Sequence, residues 1–563
     1  MDAKAVGHSL WPRHLLAGLN WRLGRDWRLE TYVSEGRYDR DEAQDGNVAT
    51  RRLEQLLDSP TGGTEFCAGG FDPFGVGLNQ ACGDYVRAVI RHRTEVEQAV
   101  ASAIATGPLL RLPAGELLVS VGAERRTMDF RFIPDPAATP GEIAGFFGVD
   151  PLSGTVSADD IFLEVFAPLL ADLPLTRLVD VTLGYRRSEG LQSGGVDSYK
   201  IEGRWSVDDA VRFRASYQRA VRSPDVFELF SPPSAGGVSL PDPCSARNLG
   251  RAPAVLDLCR IQGAAVGLSP AFIDAFAPPL DFQSTLASGN PNLEPETADT
   301  VTAGIIWSPE SSSAWLADVR LSLDGWSIEI EDAIDYRDPQ LVLDGCYNLS
   351  GSTNPTYDPA NAFCTQLRRS ANDFLIFDLA TPLVNQSLLA TSGMDVTAAA
   401  LVPIGDAVGQ PLLGDVRLDL LVTWLGRHDR QGSPVEPVID LAGTIGGTYG
   451  STLPRWRANL NLGWRSGSFE VDLRGRYIAA MEHIQDRLSP VGDAPLATGV
   501  GSAWYLDLSA RWRLTERVGL RLGVINLLDR DPELFTPAID AETDPSTYDV
   551  IGRRFWAGLN LHW

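Results

Sequence analysis

Six cysteines are the residues best equipped for chemistry in this 563-residue chain, and they fall in three local pairs. Cys67/Cys82 and Cys244/Cys259 are 15 residues apart, and Cys346/Cys364 are 18 apart. Six thiols allow many connectivities. Pairing by position gives three disulfides, each worth roughly 3 kcal/mol on the loop-entropy model. Metal ligation is the rival reading, although there is no CxxC and His92 is the only histidine near a pair.

Other reactive groups are sparse. The histidines are His8, His14, His92, His428, His483 and His562, with no HExxH among them. No GxSxG elbow occurs, and neither Lys4 nor Lys200 lies in a phosphate-binding loop. A hydrolase would need a base such as His428 or His483 gathered with a loop serine; solvated loop histidines are the plainer reading. Nothing calls for a cofactor or a resident metal. Asp540, Glu542 and Asp544 suit calcium, or divalent bridging to lipid phosphates, and equally a solvated loop tip. Phe71, Phe74, Phe272, Phe276, Tyr347 and Tyr357 lie in long connections, and Trp504 at the edge of one. Their rings would either stack on a ligand or pack the connections together.

Composition narrows what can position these groups. Lys and Arg total 48 against 73 Asp and Glu, a net charge of −25, so a nucleic-acid binder is excluded. Hydrophobic residues make up 44%, the mean hydropathy is −0.07, and no uncharged apolar run reaches the length of a spanning helix. The 54 glycines and 37 prolines suit many turns. All but two of the basic residues are arginine, which reads as coding bias or as a demand for guanidinium. Met1–Asn20 has no basic segment followed by an apolar one, so it is not a secretory signal. Either the protein stays in the cytoplasm or the chain lacks its true beginning.

The dominant pattern is period-two alternation. Phe555, Ala557, Leu559, Leu561 and Trp563 share one face, while Arg554, Gly558, Asn560 and His562 share the other. The same rule sets Trp456, Ala458, Leu460, Leu462 and Trp464 opposite Arg457, Asn459 and Asn461. Seventeen strands are predicted: 13–23, 27–37, 93–105, 116–132, 158–168, 177–187, 198–207, 210–220, 298–308, 315–334, 376–402, 415–425, 455–465, 469–479, 504–514, 518–528 and 553–563. Segment 93–105 also fits helical spacing. In 315–334 the apolar phase shifts from Leu323 to Trp326, which predicts a bulge near Asp324-Gly325.

Many hairpins have very short turns, whereas the connections 38–92, 133–157, 221–297, 335–375, 426–454, 480–503 and 529–552 are long. That asymmetry is typical of an outer-membrane barrel, with short periplasmic turns and long extracellular loops. Trp21, Trp27, Trp205, Tyr217, Trp307, Trp424, Trp464, Tyr477, Trp512 and Trp563 sit at strand ends, as an aromatic girdle or as ordinary cross-strand packing. In a seventeen-strand meander the first and last strands run parallel and cannot close antiparallel. A strand is then miscounted, or an odd number is missing ahead of the first.

Several motifs are now legible. Arg219-Ala-Val-Arg222-Ser-Pro224-Asp-Val-Phe-Glu228-Leu-Phe230 and Gly289-Asn290-Pro291-Asn292-Leu293-Glu-Pro295-Glu296 resemble segments of TonB-dependent outer-membrane receptors. Leu112-Pro113-Ala114-Gly115, Val121-Gly122-Ala-Glu124-Arg125, Ser392-Gly393-Met394-Asp395, Asn526-Leu527-Leu528-Asp529 and Gly552-Arg553-Arg554 are similar to others. The resemblance covers nearly the whole chain. It implies an all-β, transmembrane antiparallel barrel of the 22-stranded type, closed by a separate plug domain and coupled to the TonB complex through a TonB box. Neither plug motifs nor a TonB box is found before the first strand. The resemblance therefore makes 1–563 the barrel domain of a receptor, truncated at its N-terminus and engaging TonB only if a plug is supplied.

Phe555, Leu559, Leu561 and Trp563 resemble the signal read by the barrel-assembly machinery, and a plain amphipathic strand is the alternative. The leading expectation is an outer-membrane receptor, in a Gram-negative bacterium, that captures a large scarce nutrient such as a ferric siderophore. Its partners would be outer-membrane lipid and lipopolysaccharide, and as a plugless chain it would not perform gated transport. A passive pore or structural surface barrel is the alternative, and an outer-membrane hydrolase is a distant third. The nutrient itself has no readable code in the loops.

Overall fold

The computed structural model describes the chain except residues 1–4, 25, 76–78, 139–141, 145–147, 191–193, 249, 311–312, 314, 435, 447–451, 489–497, 537–541 and 562–563. Its wall is one antiparallel sheet of seventeen long strands. They are β1 (Ala5–Leu23), β2 (Trp27–Val48), β3 (Arg87–Leu112), β4 (Gly115–Ile133), β5 (Leu152–Leu173) and β6 (Thr176–Gly190). β7 (Gly194–Ser206), β8 (Val211–Arg222), β9 (Glu296–Trp307), β10 (Ala317–Tyr336), β11 (Ile376–Val402) and β12 (Asp415–Gln431) follow. β13 (Trp456–Ser466), β14 (Phe469–Ile478), β15 (Ala503–Arg513), β16 (Val518–Ile525) and β17 (Arg554–Leu561) complete it. Each answers to one predicted strand. Among the described residues no helix is long and apolar enough to cross a membrane.

Each wall strand pairs with its neighbour in sequence, so the wall is a meander. Among the described residues β1 pairs only with β2, and β17 only with β16. Both run toward the short-turn end, so these two edges are parallel, as an odd count demands.

One ambiguity is settled and one expectation is corrected. The stretch that also fitted helical spacing lies wholly within β3, paired on both sides. No bulge occurs at Asp324-Gly325: β10 stays in register with β9 from Leu321 to Glu331, and its irregularities fall between Ala317 and Arg320 and around Ala333. The apolar phase shifts because Trp326 is on the polar face, where its indole N–H donates to Asp395 at 3.1 Å.

Aromatic pairs stand in two rows along the wall, the arrangement an aromatic girdle would take. Trp424–Trp456 and Tyr477–Trp504 meet near the loop ends of their strands, and Trp464–Phe469 near the turn ends. Along β13, β14 and β15 the two rows are eight residues apart: Trp456 to Trp464, Phe469 to Tyr477, Trp504 to Trp512. At ~3.3 Å per residue that is about 26 Å, the height of an outer-membrane apolar band. Phe555 faces Val524, which faces Leu508, midway between the rows, whereas Leu561 faces Val518 below them. Phe555→Arg should therefore destabilise the folded barrel in bilayers by about 2–4 kcal/mol, and Leu561→Arg by at most about 1 kcal/mol. Urea titration in lipid vesicles measures both; equal costs would place the band elsewhere.

Candidate functional site

The connections on the long-loop side carry α1 (Thr50–Leu57), α2 (Gln80–Val86), α3 (Val226–Phe230), α4 (Pro253–Ala265), α5 (Pro270–Asp274) and α6 (Pro339–Cys346). The two longest, after β8 and β10, start from a braced root. Asp225 caps α3, accepting the Glu228 N–H at 2.8 Å, and Glu228 accepts the Asp225 N–H at 2.8 Å. Arg222 donates to both oxygens of Glu228, at 2.8 and 2.9 Å, and to Glu296 on β9. Leu229, Leu293 and Leu383 bury together beneath. Gly289 passes so close to α3 that a Cβ would lie 2.6 Å from the Ser231 nitrogen, and Asn290 donates to the Leu383 carbonyl at 3.0 Å. The recognised motif residues are thus braces that set where the loops leave the wall. Beside them a cavity of about 550 Å³ is lined by Arg126, Met128, Arg186, Ser198, Arg222 and Pro224.

Above the root the two connections fold into one cap. Ser234–Val238 pairs antiparallel with Gln283–Ser288, which pairs parallel with the start of β11, and Leu367–Arg369 pairs with β11 on the other side. β11 is 27 residues long because its first turns of chain belong to the cap. Cys244–Cys259 and Cys346–Cys364 are bonded, and all four sulfurs sit in one core with Leu258, Ile273, Val342, Leu343 and Phe374.

At its centre lies Arg369, with a side chain only 2% exposed. It donates to both oxygens of Asp242 at 2.8 Å, to the Tyr347 hydroxyl at 2.8 and 3.2 Å, and to the Phe374 carbonyl at 2.9 Å. Its guanidinium also lies 4.3 Å from the Phe374 ring centre. Burial opposes the Arg369 charge, and Asp242 with Tyr347 more than offsets it, so its pKa stays above the ordinary arginine value. Burial pushes the Tyr347 phenol up; its hydroxyl donates to Gln262 at 2.6 Å.

The remaining loops make two smaller bodies. Cys67–Cys82 ties the connection after β2 around Leu56 and Val86. Ile445, Met481, Val500, Tyr505, Phe535 and Tyr548 join the last three long loops. All three disulfides thus follow the local pairing; among the described residues no group of His, Cys, Asp or Glu is arranged to hold a metal.

The candidate ring residues separate by exposure. Phe74 is 97% exposed and presents its ring outward from a loop, whereas Trp504, 56% exposed, lies in β15 rather than in a loop, against Tyr477 on the apolar face of the wall. Phe71 packs on the Leu56 cluster and Tyr357 against the cap core. Phe276 is buried there edge-on to Phe374, whereas Phe272 on α5 is 41% exposed. Tyr347 is fully enclosed, which corrects its expected place on a ligand-facing surface: its ring and hydroxyl are used to hold Arg369. His428 lies near the end of β12 rather than in a loop, and His483 lies in the connection after β14, packed near Phe535. Of the acidic cluster, Asp540 lies outside the described residues. Asp544 is buried and accepts from Ser546 and Thr452, and Glu542 is exposed. Phe555, Leu559 and Leu561 share the exposed face of β17, and Trp563 lies outside the described residues.

Sequence reasoning marked the polar face of the wall but missed its cross-strand ion pairs. Asp160, its side chain fully buried, accepts from Arg186 and Ser188; Arg204 pairs with Asp180 at 2.8 Å; Arg214 pairs with Asp324 at 2.7 Å. Thr423 joins Trp326 on Asp395 at 2.6 Å. The only signal was the alternate charged positions, whose partners lie on neighbouring strands.

One edge of the cap gathers half-buried carboxyl groups. Burial raises the Asp344 carboxyl above its ordinary value, against the Gln340 hydrogen bond, with Asp338 adding repulsion. Burial likewise raises Glu436, with Asp338 and Asp344 adding to it. A carboxylate whose folded pKa lies above its unfolded one destabilises the fold at neutral pH, and that penalty disappears as pH falls through the raised folded value toward the unfolded one. Asp344→Asn should therefore slow hydrogen exchange in α6 at pH 7.5 and have little effect below pH ~4. Equal effects at both values would contradict this.

A family model described as TonB dependent receptor-like, beta-barrel matches residues 12–527. A ferric enterobactin receptor mutant from Pseudomonas aeruginosa, in complex with enterobactin, is similar at TM-score 0.51 and 13% identity, covering 100% of this chain and 72% of that one. A second mutant of the ferric enterobactin receptor from Pseudomonas aeruginosa gives 0.50 at 14% identity, over 98% and 70%. The FpvAI–pyocin S2 complex gives 0.50 at 11% identity, over 98% and 57%. No curated protein sequence matches. At these identities the likeness is one of fold.

Proposed function

Since this chain belongs to the TonB-dependent receptor β-barrel family, we propose that it forms the wall and cell-surface face of an outer-membrane receptor for a large, scarce nutrient of the ferric-siderophore kind. The observation that carries the reading is the cap: two loops of the long-loop side welded by two disulfides and a buried ion pair. A passive pore needs no such body above its mouth. The capture surface would be the loop face that presents Phe74, with Phe71 and Tyr357 backing it; Tyr347 holds the cap rather than the ligand, and Trp504 belongs to the wall. Gated passage would require a plug within the wall and coupling to TonB. Phe555, Leu559, Leu561 and Trp563 would carry the assembly signal, with outer-membrane lipid and lipopolysaccharide around the wall.

Whole cells displaying the chain should bind at least one radiolabelled ferric chelate saturably, and deletion of 339–369 should abolish that binding while the barrel still assembles. Large steady conductance in planar bilayers, with no saturable binding, would favour a passive pore and sink this reading.

A further inference from the structure

The charge of this protein is concentrated at one end. The long-side connections (49–86, 134–151, 191–193, 223–295, 337–375, 432–455, 479–502 and 526–553) hold 31 Asp and Glu against 12 arginines and no lysine. That face carries −19 of the net −25. The rest of the chain, with its cross-strand Arg–carboxylate pairs, is close to balanced.

The few cations on this face are already engaged. Eight of the twelve arginines are ion-paired within the protein, from Arg51 with Glu142 to Arg553 with Asp529. The other four, Arg52, Arg247, Arg251 and Arg337, donate to carbonyl or amide oxygens. By contrast Asp58, Asp72, Asp281, Asp358, Asp373 and Asp531 are exposed with no cationic partner among the described residues. A ring stands beside one such carboxylate: Asp72 accepts the Phe74 N–H at 3.0 Å. Carboxylates and ring faces both hold cations, and neither offers anything to an anion. At physiological salt the field of each charge reaches only ~8 Å, so a broad spread of carboxylates is what a ligand meets at every approach.

We propose that the ligand captured at this face is a net cation, such as a metal chelate bearing an unmasked amine, and that polyanionic chelates are turned away. This rests on the capture reading above and names the charge class of its ligand. Purified full chain in detergent is titrated with two fluorescent probes: a cationic ferric trihydroxamate with a free amine, and an anionic ferric tris-catecholate. The cationic probe should bind at least tenfold more tightly, and its affinity should fall as salt is raised. Converting Asp72, Asp281, Asp358, Asp373 and Asp531 to Asn should weaken the cationic probe about fivefold and leave heat-modifiable mobility unchanged. Equal or tighter binding of the catecholate, or no loss in the Asn variant, overturns the charge assignment while leaving capture intact. Binding of neither probe overturns both.

Discussion

Arg369→Leu should open the surface cap at a cost of about 3–5 kcal/mol, because it leaves the Asp242 carboxylate buried without its partner. Asp242 is 1% exposed, and both of its oxygens are held by Arg369. The same change releases the Tyr347 hydroxyl and the Phe374 carbonyl, so three polar groups lose a donor together. Arg369→Leu with Asp242→Leu should recover most of the loss, since a buried pair replaced by apolar groups of similar volume is close to neutral. Hydrogen exchange across α4, α5 and α6 reads both variants. The single variant should lose protection there and keep it in β1–β8, which the cap does not build. Equal protection in the single variant would mean the pair does not hold the cap.

Removal of the two cap disulfides should have the next largest effect. Separations of 15 and 18 residues correspond to roughly 3 kcal/mol each on the loop-entropy model. Cys244→Ser with Cys259→Ser, and Cys346→Ser with Cys364→Ser, should each sensitise the cap to surface protease on intact cells. Combined they should leave it largely unfolded, because the pairs share one core and their effects do not simply add. Cys67→Ser with Cys82→Ser should spare the cap, since that bond lies in a separate cluster. Loss of cap protection in that third variant would show that the loop bodies are coupled.

The wall was legible because every strand that faces lipid on one side and polar groups on the other must alternate. Strand ends were not. β2 runs to Val48 rather than to 37, because beyond Tyr38 it leaves the apolar band and continues through Asp39, Arg40, Asp41 and Glu42, paired with β3. Period-two hydrophobicity has nothing to mark there. The predicted bulge in β10 failed for a related reason: a tryptophan on the polar face mimics a change of register when only apolarity is read. The cysteine pairs were legible from proximity in sequence. The cap was not, because its central contact joins Asp242 to Arg369, 127 residues apart, and nothing local distinguishes either. Tyr347 was visible as an aromatic residue in a loop, but whether a ring faces ligand or core depends on which loop packs over it. The arginine excess likewise looked uninformative until neighbouring strands supplied its carboxylates.

The central claim is that the disulfide-bonded loops face the outside of the cell and the short turns face the periplasm. Single cysteines introduced at Phe74, Asp281, Asp208 and Ser468 can be labelled on intact cells with a membrane-impermeant maleimide, the native cysteines being already bonded. Cysteines at Phe74 and Asp281 should label on intact cells, and those at Asp208 and Ser468 only after the outer membrane is permeabilised. Labelling of the turn positions on intact cells, with the loop positions protected, would contradict the account.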